Sequence, residues 1–366
     1  MALSGVDERA LVAAAAGGDE SAYRQIVDGH RSELHAHCYR MLGSVQDAED
    51  ALQDALLRAW RGLPRFEGRS SLRSWLYRIA TNTCLDTVAK RPKRVLPIDH
   101  TGATDPSIGP GQPVVESVWI EPYPDERYGV EDGFAAPEAR YERREAVELA
   151  FIAALQHLPP RQRAVLILRE VLGFSAREVG EALDTTVASV NSALQRARAA
   201  VDERLPEVSQ QATLRTLGDD AVRELVERYV DAWERNDIDA VVGMLAEDAT
   251  ISMPPLASWY GGRDEVARFL AGWPLSGTWR WKARPTRANG QAALGFYVWD
   301  PGVERHLAFA LNVLDLRGDR VKDVTAFVVR TTEVADESDF ERWAALEIEP
   351  ERAIATFARF GLPDAL

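Results

Sequence analysis

The sequence predicts a multidomain chain: two all-α domains followed by an α+β domain. Three observations carry this prediction. Apolar residues recur at helical spacing through residues 7–90 and again through 138–205. A stretch rich in proline and acid separates these two segments. Beyond residue 218, two helical segments lead into alternating runs rich in Val, Trp, Phe and Thr, broken at Asn-Gly, Pro-Gly and Gly-Asp turns.

The first helices are "DERALVAAAAGG" and "DESAYRQIVDGHRSELHAHCYRMLGS", which end at Gly-Gly and Gly-Ser. In "VQDAEDALQDALLRAWRGLP", residues Ala48, Ala51, Leu52, Ala55, Leu56 and Ala59 share one side, and Pro64 stops the helix. "SSLRSWLYRIATNTCLDTVAKR" starts at a Ser70 or Ser71 cap and ends before Pro92. Residues 92–138 then carry repeated prolines and an acidic excess, the signature of a flexible linker. Its Trp119, Ile120, Tyr123 and Tyr128 leave two readings open, a segment that docks or a sticky linker.

Helices resume with "PEARYERREAVELAFIAALQHL" and "PPRQRAVLILREVLGF". A pair follows, "SAREVGEALDTTVASVNSALQRARAAV", with Asp184, Thr185 and Thr186 as capping residues in its turn. Val187, Val190, Leu194, Ala197 and Val201 form a narrow apolar seam on the last helix. Small and amide side chains point elsewhere, with arginines toward the far end. Such a face suits a helix entering a major groove, where amides read base edges and arginines hold phosphates; a plain helical hairpin is the alternative. In the last third, "DDAVRELVERYVDAWERND" and "DIDAVVGMLAED" read as helices, "ATISMPP" as a short strand and "GGRDEVARFLAGW" as a helix. Four strands of an antiparallel sheet follow over 278–332. The tail segments "DESDFERWAALE" and "EPERAIATFARFG" read as helical.

A net charge of -14, taken alone, argues against a polyanionic partner. The charge is unevenly placed, however: residues 1–98 carry +2, 99–138 carry -8, 139–204 carry +1 and 205–366 carry -9. Within the first segment, residues 61–94 reach +7. That local field attracts phosphates whatever the global charge, or else it is a solvated basic face. No apolar run approaches the roughly 20 residues needed to cross a bilayer. Asp7 and Glu8 stand where a signal peptide would be basic, which predicts a cytoplasmic protein without membrane contact. Two cysteines, Cys38 and Cys84, make no disulfide framework. The cluster His35, His37, Cys38 reads as helix surface and core, because neighbours two apart on a helix point in different directions. No metal or cofactor is expected.

Two stretches carry a family resemblance. "DAEDALQDALLRAWRGLPRFEGRSSLRSWLYRIATNTCLD", residues 47–86, resembles region two of the extracytoplasmic-function (group four) RNA polymerase sigma factors. "LPPRQRAVLILREVLGFSAREVGEALDTTVASVNSALQRARAAV", residues 158–201, resembles their region four. Their order and separation match as well. "YVDAWERNDIDAVVGMLAEDATISMPP" followed by "WYGGRDEVARFL" resembles the SnoaL-like branch of the nuclear-transport-factor-two-like cone fold, which a subset of these sigma factors carries at the C-terminus. The boundaries expected are 1–95 for region two, 96–138 for the linker, 139–205 for region four, 206–335 for the α+β cone and 336–366 for a helical tail.

The resemblance implies a sigma factor. It would bind core RNA polymerase, through the β′ clamp helices and the β flap, and direct initiation at promoter DNA. Asp47, Asp50, Gln53, Asp54 and Leu57 would dock on polymerase. Arg65, Phe66, Arg69, Arg73, Trp75, Arg78 and Asn82 would hold the melted -10 strand, a positive groove with aromatic platforms and base pockets; Trp75 is equally a core residue. Arg177, Ser189, Asn191, Ser192, Gln195, Arg196 and Arg198 would read the -35 element. Many relatives carry Lys and Arg where this chain has Asn191 and Ala193, so contacts here would be fewer and less electrostatic. The C-terminal domain would modulate activity in place of a separate anti-sigma protein, with a small molecule as a possible ligand; the "DGGGK" motif of one such group is not found here. Two other readings exist. One is an enzyme (cyclase- or isomerase-like) using Asp248 and His306, with the helices as appendage. The other is a small-molecule-responsive DNA-binding regulator, which leaves residues 47–86 unexplained.

Overall fold

The computed structural model describes residues 5–111, 114, 118–125, 147–329 and 355–366. They form two compact units. The first holds residues 5–94 and 150–205; the second holds 95–125, 147–149 and everything described from 206 onward.

The first unit is helical. Helices α1 (Gly5–Ala16), α2 (Glu20–Leu42), α3 (Val45–Gly62) and α4 (Leu72–Val88) form a bundle. Their ends are written locally. Asp19 caps α2 by accepting from the Ser21 and Ala22 amides, and Gly43 closes it in the left-handed conformation at φ 70°. Ser44 caps α3 and Ser71 caps α4. The bundle core includes Leu34, Tyr39, Met41, Leu52 and Ala80. Cys38 and Cys84 are buried free thiols in that core; the hydrogen bond from Cys38, then burial, raises the Cys84 thiol well above its usual range. His37 is also buried, with Nε2 2.9 Å from Thr81 Oγ1, while His35 lies 3.5 Å from Glu49.

Five further helices complete the named helices up to residue 202: α5 (Pro97–His100, in the second unit), α6 (Leu149–His157), α7 (Pro160–Leu166), α8 (Ala176–Ala182) and α9 (Val187–Asp202). A π-helical turn, Ile167–Val171, extends α7. α8 opens on a capping box between Ser175 and Glu178, and Thr186 caps α9 by accepting from the Ser189 amide. Gly180 allows the tight turn between them: a Cβ there would lie 2.9 Å from the Thr185 carbonyl oxygen. The apolar seam of α9 is buried at Val190, Leu194, Ala197 and Val201. Val187, expected in that seam, is 46% exposed because it sits in the first turn, before the core begins.

The second unit is a six-stranded sheet with helices packed on it. The strands are β1 (Leu245–Ser252), β2 (Trp259–Gly261), β3 (Trp281–Ala288), β4 (Gln291–Asp300), β5 (Arg305–Arg317) and β6 (Arg320–Val328), in the order β2-β1-β6-β5-β4-β3. Asn289 and Gly290, both at positive φ, turn the β3–β4 hairpin. The sheet is not wholly antiparallel as expected, since β1 runs parallel to β6. β1 also begins at Leu245, inside the segment read as helix; its Leu245 and Ala246 are buried and pairing with β6 overrides local helical spacing. Helices α10 (Gln210–Leu217), α11 (Asp219–Glu234), α12 (Ile238–Gly243) and α13 (Arg263–Gly272) cover the core. α10 and β2 were not foreseen.

The proline-rich stretch is part of this second unit, which decides for docking where it is described. Val95 pairs with Trp119, the Val114 amide donates to the Pro255 carbonyl, and the Asn289 amide donates to the Tyr123 carbonyl. Trp119, Ile120 and Tyr123 are buried. The C-terminal residues add to the same sheet: Leu366 exchanges backbone bonds with His306, and Phe357 packs edge-on against Tyr297. Tyr128, residues 137–146 and the segment "DESDFERWAALE" lie outside the described residues.

Candidate nucleic-acid interface and interior cavity

On α9, Ser189, Asn191, Ser192, Gln195, Arg196 and Arg198 are all exposed. The helix-turn-helix core holds the opposite side, so this polar face points to solvent as a set. Ser189 also takes part in the cap, where its hydroxyl accepts from Thr186 Oγ1 at 3.0 Å. Arg198 pairs with Glu170 at 2.7 Å, and Arg177 on α8 pairs with Glu181 at 3.1 Å. Exposed pairs of this kind contribute only about 0–1 kcal/mol, so either arginine can exchange its carboxylate for a phosphate.

The corresponding set around α4 is presented differently. Arg65, Arg69 and Arg78 are exposed, with Arg69 2.9 Å from Glu67. Phe66 and Trp75 are half-buried, their ring centroids 5.0 Å apart, and Trp75 also packs on Gly62. Arg73 lies over the rings of Tyr77 and Phe174, at 5.0 and 4.7 Å, and donates to the Leu172 carbonyl at 3.4 Å. Asn82 donates to the Ala182 carbonyl at 3.5 Å, and Ser74 donates to Glu178 at 3.3 Å. The helix-turn-helix therefore packs on the α4 face within the first unit.

A second tie lies at the end of α2. The Gln156 amide donates to the Arg40 carbonyl at 3.1 Å. Buried Arg163 donates to Gln156 Oε1 at 2.5 Å and to the Met41 carbonyl. Burial lowers the Arg163 guanidinium to about 10. The contacts to Arg40 and Met41 join residues more than 100 positions apart, and no local signal in the sequence marks them.

On α3, Asp50, Gln53, Asp54 and Leu57 are exposed, and Leu57 is an apolar side chain 55% exposed amid polar ones. Asp47 departs from that group. It is buried, accepts from Arg94 Nε at 3.0 Å and Nη2 at 2.5 Å, and pairs with Arg91. Its place is inside the fold rather than on the expected docking face. The two arginines were visible in the sequence only as part of the basic stretch.

The second unit holds a partly open cavity of about 70 Å3 between sheet and helices, lined by aromatic and aliphatic side chains. Asp248 and His306 do not line it. Asp248 is exposed and pairs with Arg317 at 3.0 Å, and His306 sits edge-on to Trp299 at 5.1 Å. The sequence showed the tryptophans as strand formers and gave no sign that they converge.

Comparison with known proteins accords with this division. Residues 26–94 match Sigma-70 region 2, residues 148–201 match Sigma-70 region 4, and residues 226–324 match the SnoaL-like domain. The ECF RNA polymerase sigma factor SigG of Mycobacterium tuberculosis is 40% identical over 353 residues, covering 95% of this chain and 85% of its own. The ECF RNA polymerase sigma factor SigW of Bacillus subtilis is 30% identical over 193 residues, 51% of this chain and 91% of its own. The crystal structure of the Mycobacterium tuberculosis extracytoplasmic function sigma factor SigJ is similar in fold, with a TM-score of 0.53 at 24% identity, covering 83% of this chain and 95% of that one.

Proposed function

Because the chain belongs to the ECF RNA polymerase sigma factors, we infer that it binds core RNA polymerase and directs promoter recognition and transcription initiation. The observation that carries this reading is the outward face of α9: six polar side chains exposed together above a sealed apolar seam. Ser189, Asn191, Ser192 and Gln195 read bases of the -35 element in the major groove, and Arg177, Arg196 and Arg198 hold its backbone. Asp50, Gln53, Asp54 and Leu57 dock on the polymerase clamp; an exposed leucine centred among polar side chains supports this.

Arg65, Phe66, Arg69, Arg73, Trp75, Arg78 and Asn82 hold the -10 strand. Arg73 and Asn82 are engaged by the facing segment in the free chain, so these two become available only when α4 and α8 separate. Polymerase supplies the surfaces that drive the separation. The factor works in the cytoplasm and uses no cofactor. No helix among the described residues is long and apolar enough to cross a membrane.

The C-terminal unit modulates the factor and does not catalyse. Support for the second point comes from its cavity, where neither Asp248 nor His306 meets the interior. Run-off transcription with core polymerase on a randomised promoter library tests the reading. Full-length protein is expected to select and transcribe a specific promoter, and a chain ending at Leu205 to do so with altered output. No specific transcript from either form overturns the sigma reading; equal output from both overturns the modulation.

A further inference from the structure

Seven rings contribute to the wall of the second unit's cavity: Trp233, Phe269, Trp273, Trp279, Trp281, Phe296 and Phe309. Among the described residues, no charged side chain lines it. One polar group does: Asn312, from the middle of β5, is 5% exposed and its Oδ1 has no hydrogen-bond partner. An unsatisfied buried acceptor costs about 1–3 kcal/mol. A wall otherwise built for burial keeps this group at a cost that a ligand's donor would remove.

Aliphatic side chains of the sheet fill much of the remaining wall, and one residue of it, Pro110, comes from the chain that joins the two helical segments of the first unit. Pro110 lines the cavity, and its carbonyl accepts from Ser258 Oγ. Gly109, at φ +79°, lies flat on Trp273: a Cβ would stand 2.3 Å from Trp273 Cζ2, so only glycine seats there. Size matters next. An engineered apolar cavity that takes up benzene measures about 150 Å3. At about 70 Å3 and partly open, this one takes a whole ring inside only if part of its wall yields. Trp281 and Phe296 are buried in the sheet, whereas Trp273 ends a helix and is half-buried, and residues 109–110 belong to an irregular segment.

We propose that this cavity binds a small, neutral, planar apolar molecule carrying one hydrogen-bond donor, and that binding unseats residues 108–111 from Trp273. The ring faces select a flat ligand. An ion would enter unpaired, which the absence of a counter-charge forbids. Asn312 accepts the ligand's donor. The linking chain thereby reports occupancy, which deepens the reading of the C-terminal unit as the modulator and rests on it for consequence, though binding itself does not.

The test uses the full chain and indole as probe, with 1-methylindole as the probe lacking the donor. Calorimetry is expected to show saturable indole binding, at least tenfold weaker binding of 1-methylindole, and loss of that difference in Asn312→Leu. Ala310→Leu, which fills the cavity, is expected to abolish binding while circular dichroism stays unchanged. Hydrogen exchange of amides 108–111 is expected to quicken on saturation. No saturable heat with indole, or equal affinity for both probes in the parent chain, overturns the site. Binding with unchanged exchange overturns the coupling. Transcription indifferent to saturating indole counts against the modulation reading alone, leaving the site in place.

Discussion

Along α9 (Val187–Asp202), the outward polar side chains are exposed. Along α4 (Leu72–Val88), Arg73, Ser74 and Asn82 are joined to Leu172, Glu178 and Ala182 of the facing segment. Both faces carry arginines and amides, yet the first is open and the second is engaged within the same unit. The difference sets an order of events. On the proposed roles, the duplex-reading face is ready in the free chain, while Arg73 and Asn82 of the strand-holding set stay engaged until a partner pulls the two segments apart.

The largest expected effect concerns the buried ion pair in the bundle that carries α4. Asp47→Ala leaves Arg94 buried without its carboxylate and should cost about 3–5 kcal/mol in urea unfolding. A loss under 1 kcal/mol would mean that Asp47 is free to act on the surface after all. Acid should loosen the same bundle. Burial, with Arg40 adding, lowers the His37 pKa from 6.5 to about 3, so the folded state holds this ring neutral. The unfolded chain binds the proton first. The stability from His37 is therefore present above pH 6.5 and lost as pH falls from 6.5 toward 3, at up to about 1.4 kcal/mol per pH unit. His37→Gln should flatten that slope, measured by denaturation at several pH values.

On the open side, Gly180→Ala pushes a methyl against the Thr185 carbonyl and should cost about 1–3 kcal/mol, with weaker duplex binding in proportion. Asn191→Ala should reduce discrimination at one base pair by about 1–3 kcal/mol. Arg196→Ala should instead weaken all promoters alike and shallow the salt dependence by about one ion. Holoenzyme binding to promoter duplexes at several salt concentrations separates these two. If Asn191→Ala behaves as Arg196→Ala does, base reading by this face is lost from the account.

The open face was more legible in the sequence than the covered one, for a physical reason. Caps at Asp19, Ser44, Ser71, Ser175 and Thr186 act within three residues, and the α9 seam repeats within one helix, so both could be read from neighbouring letters. The residues of α9 singled out for DNA fall on a solvent face for the same reason. Arg73 meets Phe174, Asn82 meets Ala182, and Arg94 meets Asp47 only through tertiary packing, which no local pattern encodes. The parallel pairing of β1 with β6 and the convergence of tryptophans around Asn312 are non-local in the same sense. Val187 marks the limit of periodicity: its spacing was right, but the core starts one turn later.

The contrast between the faces can be tested directly by holding the covered one shut. Ser74→Cys and Glu178→Cys, bridged by a thiosulfonate linker that reductant cleaves, would pin α4 to α8, while Cys38 and Cys84 stay buried. Run-off transcription with core polymerase is then compared before and after reduction. The bridged protein is expected to give at least tenfold less promoter-directed transcript, restored on cleavage, with duplex binding through α9 retained throughout. Full transcription from the bridged protein would contradict that order of events.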